Sequence, residues 1–407
     1  MDRHQRLQRN LILLRLLRAA SMAFFALPVL VLYYTAHGLS MEDVMLLQAI
    51  FAVTMVVIEV PSGYFSDVLG RRRTMIIGCT MVLIGWIVYT VAGSFFTFLV
   101  AEALLGVGFS FVSGTDSAML YDTLLELGHT ERSLREEGAQ LSYGNFAEAG
   151  ASIIGGALAV WSLHAPFILE AVWMVIPVVL AFMLIEPAEH RRSGQKAGWR
   201  EIADILHLVV RRDRYLRGLI VSSAVISAAT LIMVWMLQPY WTAVGIPVGW
   251  FGVLWASGNA LVGVVSIRAH TIAERVSTPR LLAVLVVAVS ASCAIAGVWP
   301  GILTAPLLAI MYVSRGLLTP IVNIAINGRV ESGQRATVLS LRWLAMRFLF
   351  LITAPFVGRL ADATSIPTAL AVMGGGLAVV GSAALGLLVI DRGRDNGARI
   401  ETDHNGV

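Results

Sequence analysis

Long apolar stretches recur along the whole chain, each about as long as the ~20 residues a helix needs to cross a bilayer. They fall at residues 11–35, 40–65, 74–92, 95–124, 138–161, 166–185, 216–241, 249–269, 281–299, 302–326, 339–360 and 367–390. A soluble core does not need so many runs of this length. Only 14% of the residues are charged, against roughly 25% in an ordinary soluble domain. The runs are continuous rather than alternating, which excludes the short strands of a transmembrane β-barrel. The expected class is an all-α polytopic membrane protein of about twelve helices.

Basic residues mark every second connector. They occur at Arg3, Arg6 and Arg9, at Arg71 to Arg73, at Arg132 and Arg135, at Arg275, at Arg329 and Arg335, and at Arg392, Arg394 and Arg399. The connector 186–215 holds Arg191, Arg192, Lys196, Arg200, Arg211, Arg212 and Arg214. The intervening connectors hold no Lys or Arg. Basic connectors stay on the cytoplasmic side, so both termini are expected there, with the protein in the cell inner membrane. The net charge of +4 then reports topology and gives no reason to expect nucleic acid. Cys79 and Cys293 each lie inside an apolar run, without the spacing of a metal site or a disulfide framework. The first run is too long for the core of a signal peptide and is read as an uncleaved first helix.

The connector 186–215 is the longest and most polar, and it divides the chain. The expected domains are a six-helix bundle over 1–185, the linker, a second six-helix bundle over 216–390, and a cytoplasmic tail over 391–407. Apolar spacing at Ile202, Ile205, Leu206 and Val209 predicts a short helix over 199–217, lying on the membrane surface.

Between the second and third runs, residues 61–73 read Pro-Ser-Gly-Tyr-Phe-Ser-Asp-Val-Leu-Gly-Arg-Arg-Arg. Two glycines, a carboxylate and three arginines are packed into a tight turn at a membrane surface. This stretch resembles the signature loop between helices 2 and 3 of major facilitator superfamily transporters. The resemblance implies two pseudo-symmetric six-helix bundles, each built of inverted repeats, and transport by alternating access. It also implies that the loop latches the halves on the cytoplasmic side. Gly63, Asp67, Gly70, Arg71 and Arg72 match the family pattern. Phe65 stands for the usual Leu, and Val68 stands where a basic residue is usual. The resemblance pairs that basic residue with an acid at the inner end of the fourth helix, here Asp116 or Asp122, so this latch uses another cation or is weaker. Glu59, eight residues before Asp67, is read as part of the same latch.

Ionisable groups inside a membrane are costly and mark pathways, relays or partners. Glu102 occupies the position where the family's fourth helix carries an arginine, and is read as a proton carrier, a substrate contact or half of a buried ion pair. Exporters of the family carry a glycine-rich template with a proline on the fifth helix. Here it reads Gly138, Ala147, Ala151, Ser152, Gly155 and Gly156, keeping the small residues and losing the proline. Glu148 on that helix lies roughly 15 Å from the boundary at 1.5 Å per residue and is the first choice for a protonation site. Glu170 on the sixth helix is ranked lower, because that helix usually lies at the periphery. In the second half the intramembrane charges are positive: Arg315, Arg342 and Arg347. Arg315 and Arg347 are read as deep. Trp235, Gln238, Asn259 and Asn323 join them as candidates for lining a substrate cavity.

No nucleophile elbow, zinc motif or phosphate-binding loop occurs, so no enzyme and no cofactor is expected. The reading is a monomeric secondary transporter that exports a small amphipathic compound against protons. Two alternatives stand beside it. One is uptake or translocation of an anionic metabolite or lipid held by Arg315 and Arg347. The other is a sensor or assembly protein that does not transport.

Overall fold

The computed structural model describes residues 2–188, 213–330 and 334–403. The predicted surface helix falls largely outside them. The described chain is helical and has no strand. The helices are α1 (Arg3–Ser21), α2 (Leu30–Ala36), α3 (Met41–Leu69), α4 (Arg71–Val91), α5 (Phe95–Val112), α6 (Thr115–Leu127), α7 (Ser133–Ala159), α8 (Ala165–Trp173), α9 (Val175–Met183), α10 (Arg214–Ala243), α11 (Phe251–Arg275), α12 (Thr278–Val298), α13 (Ile310–Asn327), α14 (Arg335–Ala363) and α15 (Ile366–Asp403).

Among the described residues, 10 helices are long and apolar enough to cross a membrane. The first and fifth expected spans are not among them. The first begins at Arg3 rather than near residue 11, and breaks after Ser21. The fifth, α7, carries Glu136, Glu137 and Glu148, which lower its mean hydropathy. Both are helical and occupy their expected places in the order.

Local chemistry sets the boundaries. Ser40 and Asp43 form a capping box that starts α3, each side chain accepting from the other's backbone amide at 3.1 and 3.0 Å. Asp213 starts α10 by accepting from Leu216 N at 2.8 Å. The fourth span is broken between α5 and α6 at Gly114, whose φ of 79° suits a residue without Cβ. The first span breaks between α1 and α2, where Pro28 opens a 3-10 turn. Glu170 takes up two amides at that break: its Oε2 accepts from Phe25 N at 2.5 Å and Ala26 N at 3.1 Å.

The chain packs as two compact units. The first is Met1–Arg192 with Ile246–Asn259, and the second is Ser193–Gly245 with Ala260–Val407. The core of the first gathers Leu13, Leu17, Met75, Cys79, Leu120 and Leu184. The core of the second gathers Leu219, Leu282, Leu285, Ile321, Val322 and Val338. Ile246–Asn259 follows the linker in sequence yet packs with the first unit. Small residues make this fit: a Cβ on Gly156 would lie 2.6 Å from Gly252 N, and one on Gly252 only 2.1 Å from the Ser152 carbonyl oxygen.

Candidate functional site

The charged stretch at 61–73 is not a long turn. Helix α3 runs through Pro61 to Leu69, and α4 begins at Arg71, so Gly70 alone makes the corner. Its φ of 93° requires glycine. Gly63 is exposed within α3, with nothing within 4 Å of where a Cβ would stand.

Arg71 is the hub. Its Nη1 donates to Asp67 Oδ1 and to Ser66 Oγ, both at 2.8 Å, and its Nε donates to Asp122 Oδ2 at 3.2 Å. Arg71 thus supplies the cation that Val68 lacks, and Asp122 is its acid on the fourth span. Asp116 belongs elsewhere. It pairs with Arg18 of α1 at 3.1 Å, because the break at Gly114 redirects the chain before it. Glu59 is exposed two turns before Asp67, and its carbonyl accepts from Ser62 Oγ at 2.9 Å.

One residue of this cluster was not anticipated from the sequence. Glu186 accepts from Arg71 N at 2.7 Å and Arg72 N at 2.8 Å, one amide on each carboxylate oxygen. It caps the positive start of α4, where unpaired amides and the helix dipole favour an anion. Arg72 meanwhile reaches the Phe182 carbonyl at 2.8 Å. An acid directly after the sixth apolar run was a usable signal, but nothing in the spacing ties it to a helix 115 residues earlier.

Glu102 is enclosed, at 3% exposure. Three donors converge on its Oε1: Tyr34 OH at 2.5 Å, Tyr89 OH at 2.6 Å and Gln48 Nε2 at 2.7 Å. The two tyrosine hydroxyls also meet each other. The expected alternative of an ion pair fails here, since these partners are neutral. The carboxyl instead ties α2, α3, α4 and α5 at one point. Replacing Glu102 by Leu strips the acceptor from three buried donors, and should cost about 3 kcal/mol at the usual penalty for unsatisfied groups. Glu102→Gln, which keeps an acceptor oxygen, should cost less. Thermal unfolding of the two purified variants in detergent checks the order.

Glu170 is not peripheral. It is fully buried, because its carboxyl serves the amides freed by the break in the first span. The fifth-span template is only partly a packing surface. Ala151, Ser152, Gly155 and Gly156 are buried, whereas Gly138 stands in open space.

Glu148 is half-buried on α7. Its Oε1 accepts from Asn259 Nδ2 at 2.9 Å and from Trp255 Nε1 at 3.2 Å, both on α11. Asn259, expected in a substrate cavity, is thus a partner of the carboxyl.

The second unit rearranges the expected arginines. Arg315 is exposed and Arg347 half-buried, while Arg342 is 1% exposed. Depth along a helix was readable from the sequence, but the face each residue presents was not. Arg342 donates to Asn323 Oδ1 at 3.1 Å. Gln238 is fully buried and Trp235 half-buried on α10.

Solved structures share this architecture. The nucleoside transporter NupG aligns with a TM-score of 0.75 at 12% identity, over 95% of this chain and 99% of that one. A bacterial homologue of the human lysosomal transporter Spinster aligns at 0.71 with 17% identity, over 96% of each chain. At such identity the likeness is one of fold. An uncharacterised transporter of Buchnera aphidicola subsp. Schizaphis graminum (strain Sg) is 26% identical over 142 residues, a match spanning 35% of this chain and 35% of that protein. The family model described as Major Facilitator Superfamily matches residues 11–349, from within α1 into the middle of α14. On that match, and with the multi-pass helical fold that accompanies it, the chain belongs to the Major Facilitator Superfamily of membrane transporters.

Proposed function

We propose that this transporter exports a small amphipathic compound in exchange for protons, by alternating access, and that Glu148 takes up and releases the proton. The observation that carries the reading is the setting of Glu148. It is the carboxyl of the fifth span that is both within the apolar stretch and half-open. It is held by two neutral donors, Trp255 Nε1 and Asn259 Nδ2. Both donors can hold the carboxyl oxygen whether the group is ionised or protonated. Charged or proton-binding carboxyls facing polar partners inside a membrane are the usual parts of proton relays. Glu102 and Glu170, both enclosed, serve in this reading as structural ties. The small-residue surface at Ala151, Ser152, Gly155 and Gly156 supports the exporter template on the same helix.

Everted membrane vesicles carrying the protein provide the test. With an imposed pH gradient, adding a transported compound should dissipate the gradient, and vesicles without the protein should not respond. A broad panel of cationic, neutral and anionic amphiphiles that leaves the gradient untouched would sink the export reading.

A further inference from the structure

The second unit buries a guanidinium among neutral groups. Arg342 lies about two turns into α14 and is 1% exposed. Val338 and Met346, one turn to either side, are also buried, so the charge sits on an inward face of the helix. Its Nη1 donates to Asn323 Oδ1 at 3.1 Å, and its Nη2 reaches Thr319 Oγ1 at 3.5 Å. The guanidinium carbon stands 5.1 Å from the ring centroid of Trp343. Neither hydrogen-bond partner carries a negative charge, and among the described residues no carboxylate forms an ion pair with Arg342.

A charge withdrawn from water is strongly unfavourable unless an opposite charge meets it. Inside a membrane such a group faces a partner or a pathway. The surroundings of Arg342 suit an anion that the described residues do not supply. Thr319 and Asn323 are four residues apart on α13, on the face that also carries Arg315 four residues earlier. Asn323 spends its oxygen on Arg342, which leaves its Nδ2 as a donor, and Thr319 offers a hydroxyl. A guanidinium, an amide and a hydroxyl therefore share one seam between α13 and α14.

We propose that this seam is an oxyanion site, in which a carboxylate or phosphate group is held by Arg342, Thr319 and Asn323. The planar arginine fork matches two oxygens of either group, which a single ammonium would not. The anion belongs to a soluble ligand or to a lipid headgroup; the chemistry is the same. The site does not depend on proton exchange at Glu148, and its failure leaves that reading standing.

Thermal unfolding of the purified full-length protein tests it in two arms. In detergent at constant ionic strength, inorganic phosphate replaces chloride. In nanodiscs, phosphatidylglycerol replaces phosphatidylcholine. We expect a rise in Tm of about 2–4 °C in at least one arm, the size that mass action gives for a ligand well above its Kd. A rise with inorganic phosphate assigns a soluble anion, and a rise confined to phosphatidylglycerol assigns a lipid. Arg342→Gln should lose the rise, and Arg280→Gln, at an exposed position on α12, should keep it. Should Arg342→Gln not fold, Asn323→Ala tests the same seam with the charge in place, and should shrink the rise at least threefold in anion affinity. No rise in either arm, or an undiminished rise in Asn323→Ala and Arg342→Gln, overturns the site.

Discussion

Glu148→Gln should abolish pH-driven transport while leaving the protein folded and able to bind its substrate. The side chains are nearly isosteric, and the amide oxygen of Gln can still accept from Trp255 Nε1 and Asn259 Nδ2. What is lost is the capacity to bind a proton and release it. In proteoliposomes with an imposed pH gradient, uphill movement should fall to the level of liposomes without protein. Exchange of substrate for substrate, which needs no net proton movement, should persist. Full pH-driven activity in this variant would remove Glu148 from the coupling step and return attention to Glu102. Loss of both activities together would mark Glu148 as a substrate contact instead.

Gly155→Leu should prevent the first unit from assembling. Even a Cβ there would lie 1.8 Å from the Phe25 carbonyl oxygen and 2.7 Å from its carbon. These are backbone atoms at the break of the first span, held on their other side by Glu170. No side-chain rotation relieves the overlap. The cost should exceed the roughly 1–3 kcal/mol of ordinary overpacking. Gly138→Leu is the matched control, because nothing lies within 4 Å of its Cβ position. Monodisperse yield after detergent extraction should collapse for the first substitution and stay close to the parent for the second. Equal behaviour would mean that α7 packs differently against the first span.

The same two glycines show what the sequence could and could not convey. Both fit one template by spacing, but spacing does not say which face of α7 meets another backbone. Asp67, Gly70 and Arg71 were legible because a carboxylate, a turn glycine and a cation crowded between apolar runs have few other arrangements. The choice between Asp116 and Asp122 was not legible. It depends on the break at Gly114 and on Arg18, a charge hidden inside the first apolar run. Glu170 was undervalued for a related reason. Its partners are backbone amides, which have no signature in a string of side chains, and they became available only because the first span is interrupted. In the second half, counting residues from a helix start gave the depth of Arg315 and Arg347. It could not reveal that Arg342 points inward while Arg315 does not.

The carboxylate of Glu186 has a mechanical consequence. Near it, Arg3 of the first span reaches Glu126 at 2.6 Å and the Glu186 carbonyl at 3.3 Å, and Ala188 N meets Glu126 at 2.5 Å. Asn10 exchanges two hydrogen bonds with the backbone of Ile185, at 2.9 and 3.1 Å. Directional bonds such as these resist shear. One end of the first unit is therefore stiff and stapled at the point where the chain leaves it.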